Sequence, residues 1–189
     1  GGETFVAGEG GPSKIIRSGD FNVITNGEVL LRDLANCPRP NVAIHEIFHA
    51  LGFIHSENEN NIMYKFSGCD RDIGKDIPYL INNLYSLPSR PDLLITDAEL
   101  TQSQRTLEGK IEIKNYGLVE SKESTLVVLS NNNSIEEYDI DPLEIGTGLS
   151  ITFKTPLINP FSKEISLKID YSGEELNKEN NVKVFEQED

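Results

Sequence analysis

The 189-residue sequence predicts two parts of different class, an α+β first part and an all-β sandwich second part. Three observations carry that prediction. His45-Glu46-Ile47-Phe48-His49-Ala50-Leu51-Gly52-Phe53-Ile54-His55 sets polar side chains at helical spacing and closes on a glycine turn. Ile73, Ile77, Leu80, Ile81, Leu84 and Leu87 recur at three- and four-residue intervals, the mark of a second amphipathic helix. Beyond Pro91 the spacing becomes alternation: Ile165, Leu167, Ile169 and Tyr171 are interleaved with Ser166, Lys168 and Asp170. Between these grammars, Leu87-Pro88-Ser89-Arg90-Pro91 reads as a short stiff linker, so the predicted domains are 1–89 and 90–189.

Taken in order, residues 1–20 are glycine-rich, with Thr4–Ala7 a short strand and Gly8–Pro12 a loop. Phe21–Ile24 and Glu28–Leu31 are strand candidates around Asn26-Gly27, a strong hairpin-turn signal. Asn36–Asn41 is a breaker-rich connector, and Asn41 is the expected N-cap of a helix over 42–52. Val42, Ile44, Ile47, Phe48 and Leu51 supply its apolar face, and Gly52 permits the left-handed residue that ends it. Glu57–Asn61 reads as a solvated loop. Pro78 falls in the first turn of the second helix. After the linker come seven strand candidates: Asp92–Thr96, Glu108–Lys114, Ser124–Leu129, Glu136–Ile140, Leu149–Lys154, Glu164–Tyr171 and Asn181–Phe185.

Composition narrows the function. A net charge of −14 with no basic cluster argues against nucleic acid and anionic membrane surfaces as partners. No apolar run approaches the roughly 20 residues of a membrane span. No signal peptide is visible, and a Gly-Gly start is expected of a processed chain or a tag remnant. Cys37 and Cys69 flank the histidine motif and can be joined as a disulfide or stay as two buried thiols; a disulfide would go with an extracytoplasmic location.

The chemistry lies in the histidine motif. His45 and His49 share one helix face, and His55 can swing back to supply a third nitrogen. Three neutral imidazoles with a fourth position open suit a catalytic zinc ion, and Glu46 is placed as general base and acid. A purely structural zinc would need a fourth protein ligand, and neither cysteine lies at ligand spacing. The competing reading is a surface helix with incidental histidines. Against it, all three histidines of the chain fall within these eleven residues. A chance match to the five fixed positions is on the order of a few per ten million starts.

This extended pattern, with Ser56 after the third histidine and Met63 eight residues beyond His55, resembles the metzincin clan, and within it the matrixins. The resemblance implies an α+β metzincin-like catalytic domain with one Zn2+ held by His45, His49 and His55. It implies Glu46 as the catalytic residue and Met63 as an apolar floor beneath the metal. It also implies a substrate pocket lined by Tyr64, Lys65 and Phe66, and an edge strand within 4–24 that pairs with an extended peptide. Only 44 residues precede the motif, fewer than matrixins carry, so a reduced or truncated N-terminal part without the backing helix is expected, leaving an apolar sheet face exposed. The calcium sites of the family cannot be assigned to residues here.

The second part, with seven short strands, suggests an immunoglobulin-like sandwich lacking the Cys–Trp–Cys core. Asp92-Leu93, Asn115-Tyr116-Gly117 and Glu175…Glu179-Asn180-Asn181 resemble the CARDB family, an adhesion-related module. Residues 91–189 hold −11 of the net charge, read as a solvated surface. Asp139 and Asp141 lack the glycine and terminal Glu of a calcium loop. Asn132-Asn133-Ser134 is a glycosylation sequon in an expected loop. The resulting expectation is an extracellular or cell-surface zinc endopeptidase acting on a protein or peptide substrate, with the sandwich for binding or positioning. The alternative is an adhesion or binding protein whose peptidase half is inactive or truncated.

Overall fold

The computed structural model of the protein describes residues 7–32, 38–66, 68–103, 105–157 and 164–186. The chain divides into two compact units: Gly1–Ile16 with Asn22–Pro88, and Arg17–Phe21 with Ser89–Asp189. Thr4–Phe5–Val6 of the first expected strand, and Cys37, lie outside the described residues.

The first unit contains β1 (Gly8–Ser18) up to Ile16, β2 (Phe21–Leu31) from Asn22, α1 (Asn41–Ala50) and α2 (Asp76–Tyr85). This corrects the expected α+β metzincin-like catalytic domain, which is not evident in the structure. Among the described residues, β1 and β2 pair only with each other, so the sheet that such a domain needs is not built. Two strands cannot cover two helices. Val29, Leu30 and Leu31 of β2 and Ile47 and Leu51 around α1 accordingly remain exposed.

The hairpin itself also differs from expectation. Asn26-Gly27 lies inside β2, and the chain reverses at Gly19-Asp20, with Gly19 at φ +55°. Gly8–Pro12 is strand, not loop. Glycine is used here for close approach: a Cβ on Gly10 would lie 2.1 Å from the Glu46 carbonyl oxygen, and one on Gly8 2.7 Å from Glu46 Cγ.

α1 ends as its sequence requires. Gly52 takes φ +91°, Gly52 N–H donates to His49 O (2.9 Å) and Phe53 N–H to Phe48 O (2.9 Å). These are the two bonds of a Schellman cap, and its apolar contact is the Phe48–Phe53 ring pair at 5.5 Å. The start departs from expectation: Pro40 holds the cap position and no side chain caps the helix. Asn41 instead donates through Nδ2 to Gly68 O, Cys69 O and Arg71 O, at 2.9, 3.0 and 3.3 Å. A small core beneath the helix gathers Ile62, Met63 and Ile77, with Ile44, Phe48, Phe53, Ile73 and Ile81 packed against it.

The second unit is a β-sandwich. One sheet has order β3-β4-β7 (Leu93–Ser103, Thr106–Asn115, Gly148–Pro156). The other has order β6-β5-β8-β9 (Asn133–Ile140, Ser124–Ser130, Glu164–Asp170, Val182–Glu186). Every described pairing within them is antiparallel. Alternate residues from both sheets form the core, including Leu93, Ile111, Ile113, Leu126, Val128, Leu167 and Ile169.

All seven strand candidates are present, and five of them (β3, β4, β5, β6 and β7) run longer than expected, β3 by the most. β3 continues past Thr96 through a register irregularity between Ile95 and Asp97. The irregularity reverses the in–out phase, so the alternation that marks Leu93 and Ile95 breaks off there. β6 begins at Asn133 because Asn131 and Asn132, at φ 47° and 64°, form a two-residue hairpin turn of the mirror-image kind.

Candidate metal centre

The Schellman cap of α1 does more than end a helix, because it aims the Phe53 carbonyl at the His49 ring. His49 Nδ1 lies 2.7 Å from Phe53 O. His45 Nδ1 lies 2.6 Å from Ile62 O, in the turn that contains Met63. A carbonyl oxygen can only accept, so each Nδ1 carries a proton, and a neutral ring in that tautomer presents a bare lone pair at Nε2. Those Nε2 atoms face each other at 3.0 Å. His55 joins them: one ligand atom from each of the three histidines lies within 4.8 Å of the others.

This arrangement fits a cation. Two lone pairs held face to face repel unless positive charge sits between them, and backbone bonds at Nδ1 are the usual outer support of a ligating imidazole. Four-coordinate zinc with bonds of about 2.0–2.1 Å sets its ligand nitrogens roughly 3.3 Å apart, close to the observed spacing of the first pair. His55 is exposed. Its pKa is lowered from 6.5, first by desolvation, then by His49, His45 and Lys65, a shift that favours the neutral form.

Glu46 is only 7% exposed, covered by β1 at Gly8, whose Cβ would lie 2.9 Å from Glu46 Oε1. Met63 is 2% exposed and sits in the core under the helix. Tyr64, Lys65 and Phe66 form a separate outer cluster. The Tyr64 and Phe66 rings are 5.9 Å apart, Arg71 lies over Tyr64 at 4.6 Å, and Tyr64 donates to Glu59 Oε1 at 3.2 Å. Cys69 does not carry a free thiol.

Asn61 carries a function that its polar neighbourhood conceals. The stretch Glu57–Asn61 reads as solvated loop, yet Asn61 is 3% exposed. Its Nδ2 donates to both carboxylate oxygens of Asp76 (3.1 and 3.2 Å), and its Oδ1 accepts the Met63 N–H (2.8 Å). It thereby ties the turn holding Ile62 O and Met63 to the first turn of α2. A run of asparagines gives no sequence signal for which one is buried.

The motifs of the second unit turn out to be clamps. Asn115 is fully buried; its Nδ2 donates to Val119 O and Leu143 O, and its Oδ1 accepts from Asp92 N and Gly117 N. Glu175, 5% exposed, accepts from Leu93 N (2.9 Å) and Asn181 Nδ2 (2.6 Å). Burial first, and then the nearby Asp92 charge, push its carboxyl above its ordinary value of 4.5; the two hydrogen bonds oppose the shift.

The CARDB family model matches residues 90–185, just over half of the chain, and the chain belongs to the CARDB family. A matrixin model matches residues 33–85, a likeness confined to the segment that holds the three histidines. No curated protein matches the chain significantly. Among solved structures, a CARDB domain from Pyrococcus furiosus in complex with di-metal ions is 22% identical. That likeness covers 51% of this chain and 85% of the other, with a TM-score of 0.42. A domain spanning residues 272–376 of a protein assigned to the cell surface of Methanosarcina acetivorans is 17% identical. It covers 50% of this chain and 88% of the other, with a TM-score of 0.44. No helix among the described residues is long and apolar enough to cross a membrane.

Proposed function

We propose that this is an extracellular binding protein whose CARDB half attaches or positions it, and whose first unit is a three-histidine zinc centre able to hydrolyse peptide bonds. The CARDB match over residues 90–185 supports the binding half. The convergence of His45, His49 and His55 carries the zinc half. Three imidazoles suit zinc, and bound zinc would polarise a carbonyl and lower the pKa of its water towards about 7. The chain's own residues supply the rest. Ile62 O and Phe53 O hold two rings in the ligating tautomer. Glu46 would serve as the general base for the water and the general acid for the leaving amine. Met63 gives the centre a rigid apolar floor, and β1, with β2 on one side only, offers an edge to an extended peptide. A Cys37–Cys69 disulfide is part of this proposal, and intact mass before and after reduction tests it.

A second reading, favoured by the short hairpin that stands where a catalytic sheet was expected, is a binding protein whose zinc half is inert. Digestion of casein and a peptide library separates the two. Cleavage that needs zinc, stops with chelator and is lost in Glu46→Ala supports the hydrolase. Absence of such cleavage by the zinc-loaded chain leaves the binding protein alone. Removing residues 91–189 while substrate range and surface attachment stay unchanged would dispose of the positioning role.

A further inference from the structure

A cavity of about 480 Å³ opens where β5 begins and β6 and β8 end, in the second unit. Thr125 of β5 pairs with Asp139 of β6 on one side and with Asp170 of β8 on the other, so the three stand in one row on the same sheet face. Glu123, just before β5, and Asp141, just after β6, complete the acidic lining. Apart from Ile140, every lining side chain carries an oxygen, and none carries a positive charge. Of the four carboxylates only Asp170 meets a described cation, Lys168 at 3.5 Å, and both of those side chains are exposed. Ser124 gives an independent sign of a missing partner. It lines the same cavity and is 7% exposed, and its Oγ is buried with no hydrogen-bond partner. A buried hydroxyl left unpaired is unfavourable, so a donor from outside the chain belongs there.

We infer that this cavity binds the guanidinium of an arginine side chain on a partner protein. The inference rests on the binding role proposed for the CARDB half and names the chemistry which that half takes. The spread of the carboxylates decides the kind of cation. Among the described residues, three metal-capable groups gather within 4.8 Å of one another only at the histidines. Adjacent strands stand about 4.8 Å apart, so Asp139 and Asp170, on either side of β5, are about 10 Å apart at the backbone. A bare divalent ion, which needs its oxygens at about 2.3–2.6 Å, would not touch three of these groups at once. A planar guanidinium spreads five N–H donors in a fan that reaches separated carboxylates and a hydroxyl together. Lysine, a compact point charge, satisfies fewer of them.

The probes are acetyl-Gly-Arg-Gly-amide, its lysine and citrulline counterparts, and calcium chloride, each titrated into the 15N-labelled full chain and followed by amide chemical shifts. The arginine peptide should shift the amides of Ser124, Thr125, Asp139 and Asp170 saturably, with a Kd on the order of 1 mM in low salt. Citrulline keeps the shape but not the charge, and should bind at least about tenfold more weakly. Asp139→Asn with Asp170→Asn should weaken the arginine peptide about tenfold or more. Both aspartates are exposed, so the melting curve of that double variant should match the wild type, and lost binding cannot be unfolding. Shifts by citrulline or lysine equal to those by arginine would overturn the guanidinium assignment. Saturable shifts by calcium with none by the arginine peptide would make the cavity a metal site and overturn it as well. Arginine-peptide shifts that fall elsewhere on the chain, or that survive in the double variant, would overturn the cavity. Each of these failures leaves the attachment role standing, because removal of residues 91–189 tests that role separately.

Discussion

Gly10→Ala should damage the first unit, whereas Gly11→Ala, one residue along the same strand, should not. A methyl at Gly10 would lie 2.1 Å from the Glu46 carbonyl oxygen, 2.7 Å from its carbon and 2.9 Å from Glu46 Cα. All three are helix backbone, which cannot turn aside as a flexible side chain can. To restore ordinary contact at 3.4 Å or more, β1 and α1 must part by about 1 Å. Overpacking of this kind costs about 1–3 kcal/mol, a fall in melting temperature of roughly 5–20 °C for a unit of this size. The methyl of Gly11→Ala meets nothing within 4 Å. Its expected effect is within about 0.5 kcal/mol, or a gain of up to about 1 kcal/mol from a stiffer unfolded chain. Neither glycine has a positive φ, so the comparison isolates packing from backbone strain. Differential scanning calorimetry of both variants, zinc-loaded, reads the difference. If hydrolysis is present, a shift of about 1 Å at Glu46 should lower kcat on the order of 100-fold in Gly10→Ala. Equal melting temperatures for the two variants would refute the close seating of β1 on Glu46.

Asn61→Ala should cost about 1–3 kcal/mol, because it strands the Met63 N–H and loosens Asp76. The same change should weaken zinc binding about 10- to 100-fold by freeing the turn whose Ile62 carbonyl orients His45, read by competition with a fluorescent chelator. Glu46→Ala should abolish any peptide cleavage while the protein keeps its zinc, checked by digestion and metal analysis on one preparation. Glu175 makes the sandwich pH-sensitive with a definite sign. Its folded pKa lies above 4.5, so the folded state holds this proton more tightly. That contribution is complete below the unfolded value and is lost as pH rises through the folded one. The melting temperature of Glu175→Gln minus that of wild type should therefore increase with pH from about 4 upward. A flat difference would show that the carboxyl is not held protonated by burial.

Much of the second unit was legible because period-two alternation survives in a sheet with one buried face. Ile165, Leu167 and Ile169 read as β8 for that reason, and all three are buried. The far half of β3 was not, because the irregularity after Ile95 changes which residues face inward. The first unit was legible where chemistry forces spacing. Gly52 ends α1 with the left-handed residue expected of it, and the three histidines converge. It was illegible where tertiary contact overrides local preference. Asn26-Gly27 is a strong turn signal, yet a Cβ on Gly27 would lie 3.0 Å from Ala50 Cβ, so that glycine serves the approach of strand to helix. Asn41 and Asn61 read as a cap and as solvated loop. Each instead spends its amide on a segment distant in sequence, which no local pattern encodes. The α+β expectation rests on the histidine motif, Met63 and a second amphipathic helix, all within a short segment. A motif fixes the geometry of its own helix and turn but not the sheet around it.

On the proposed reading His45, His49 and His55 hold one zinc ion between them. Zinc content per chain after dialysis against trace metal, measured by plasma mass spectrometry on the wild type and His49→Ala, tests it most directly. The wild type should hold one equivalent and the variant none. A wild type that holds no zinc, or a variant that retains its full equivalent, would contradict it.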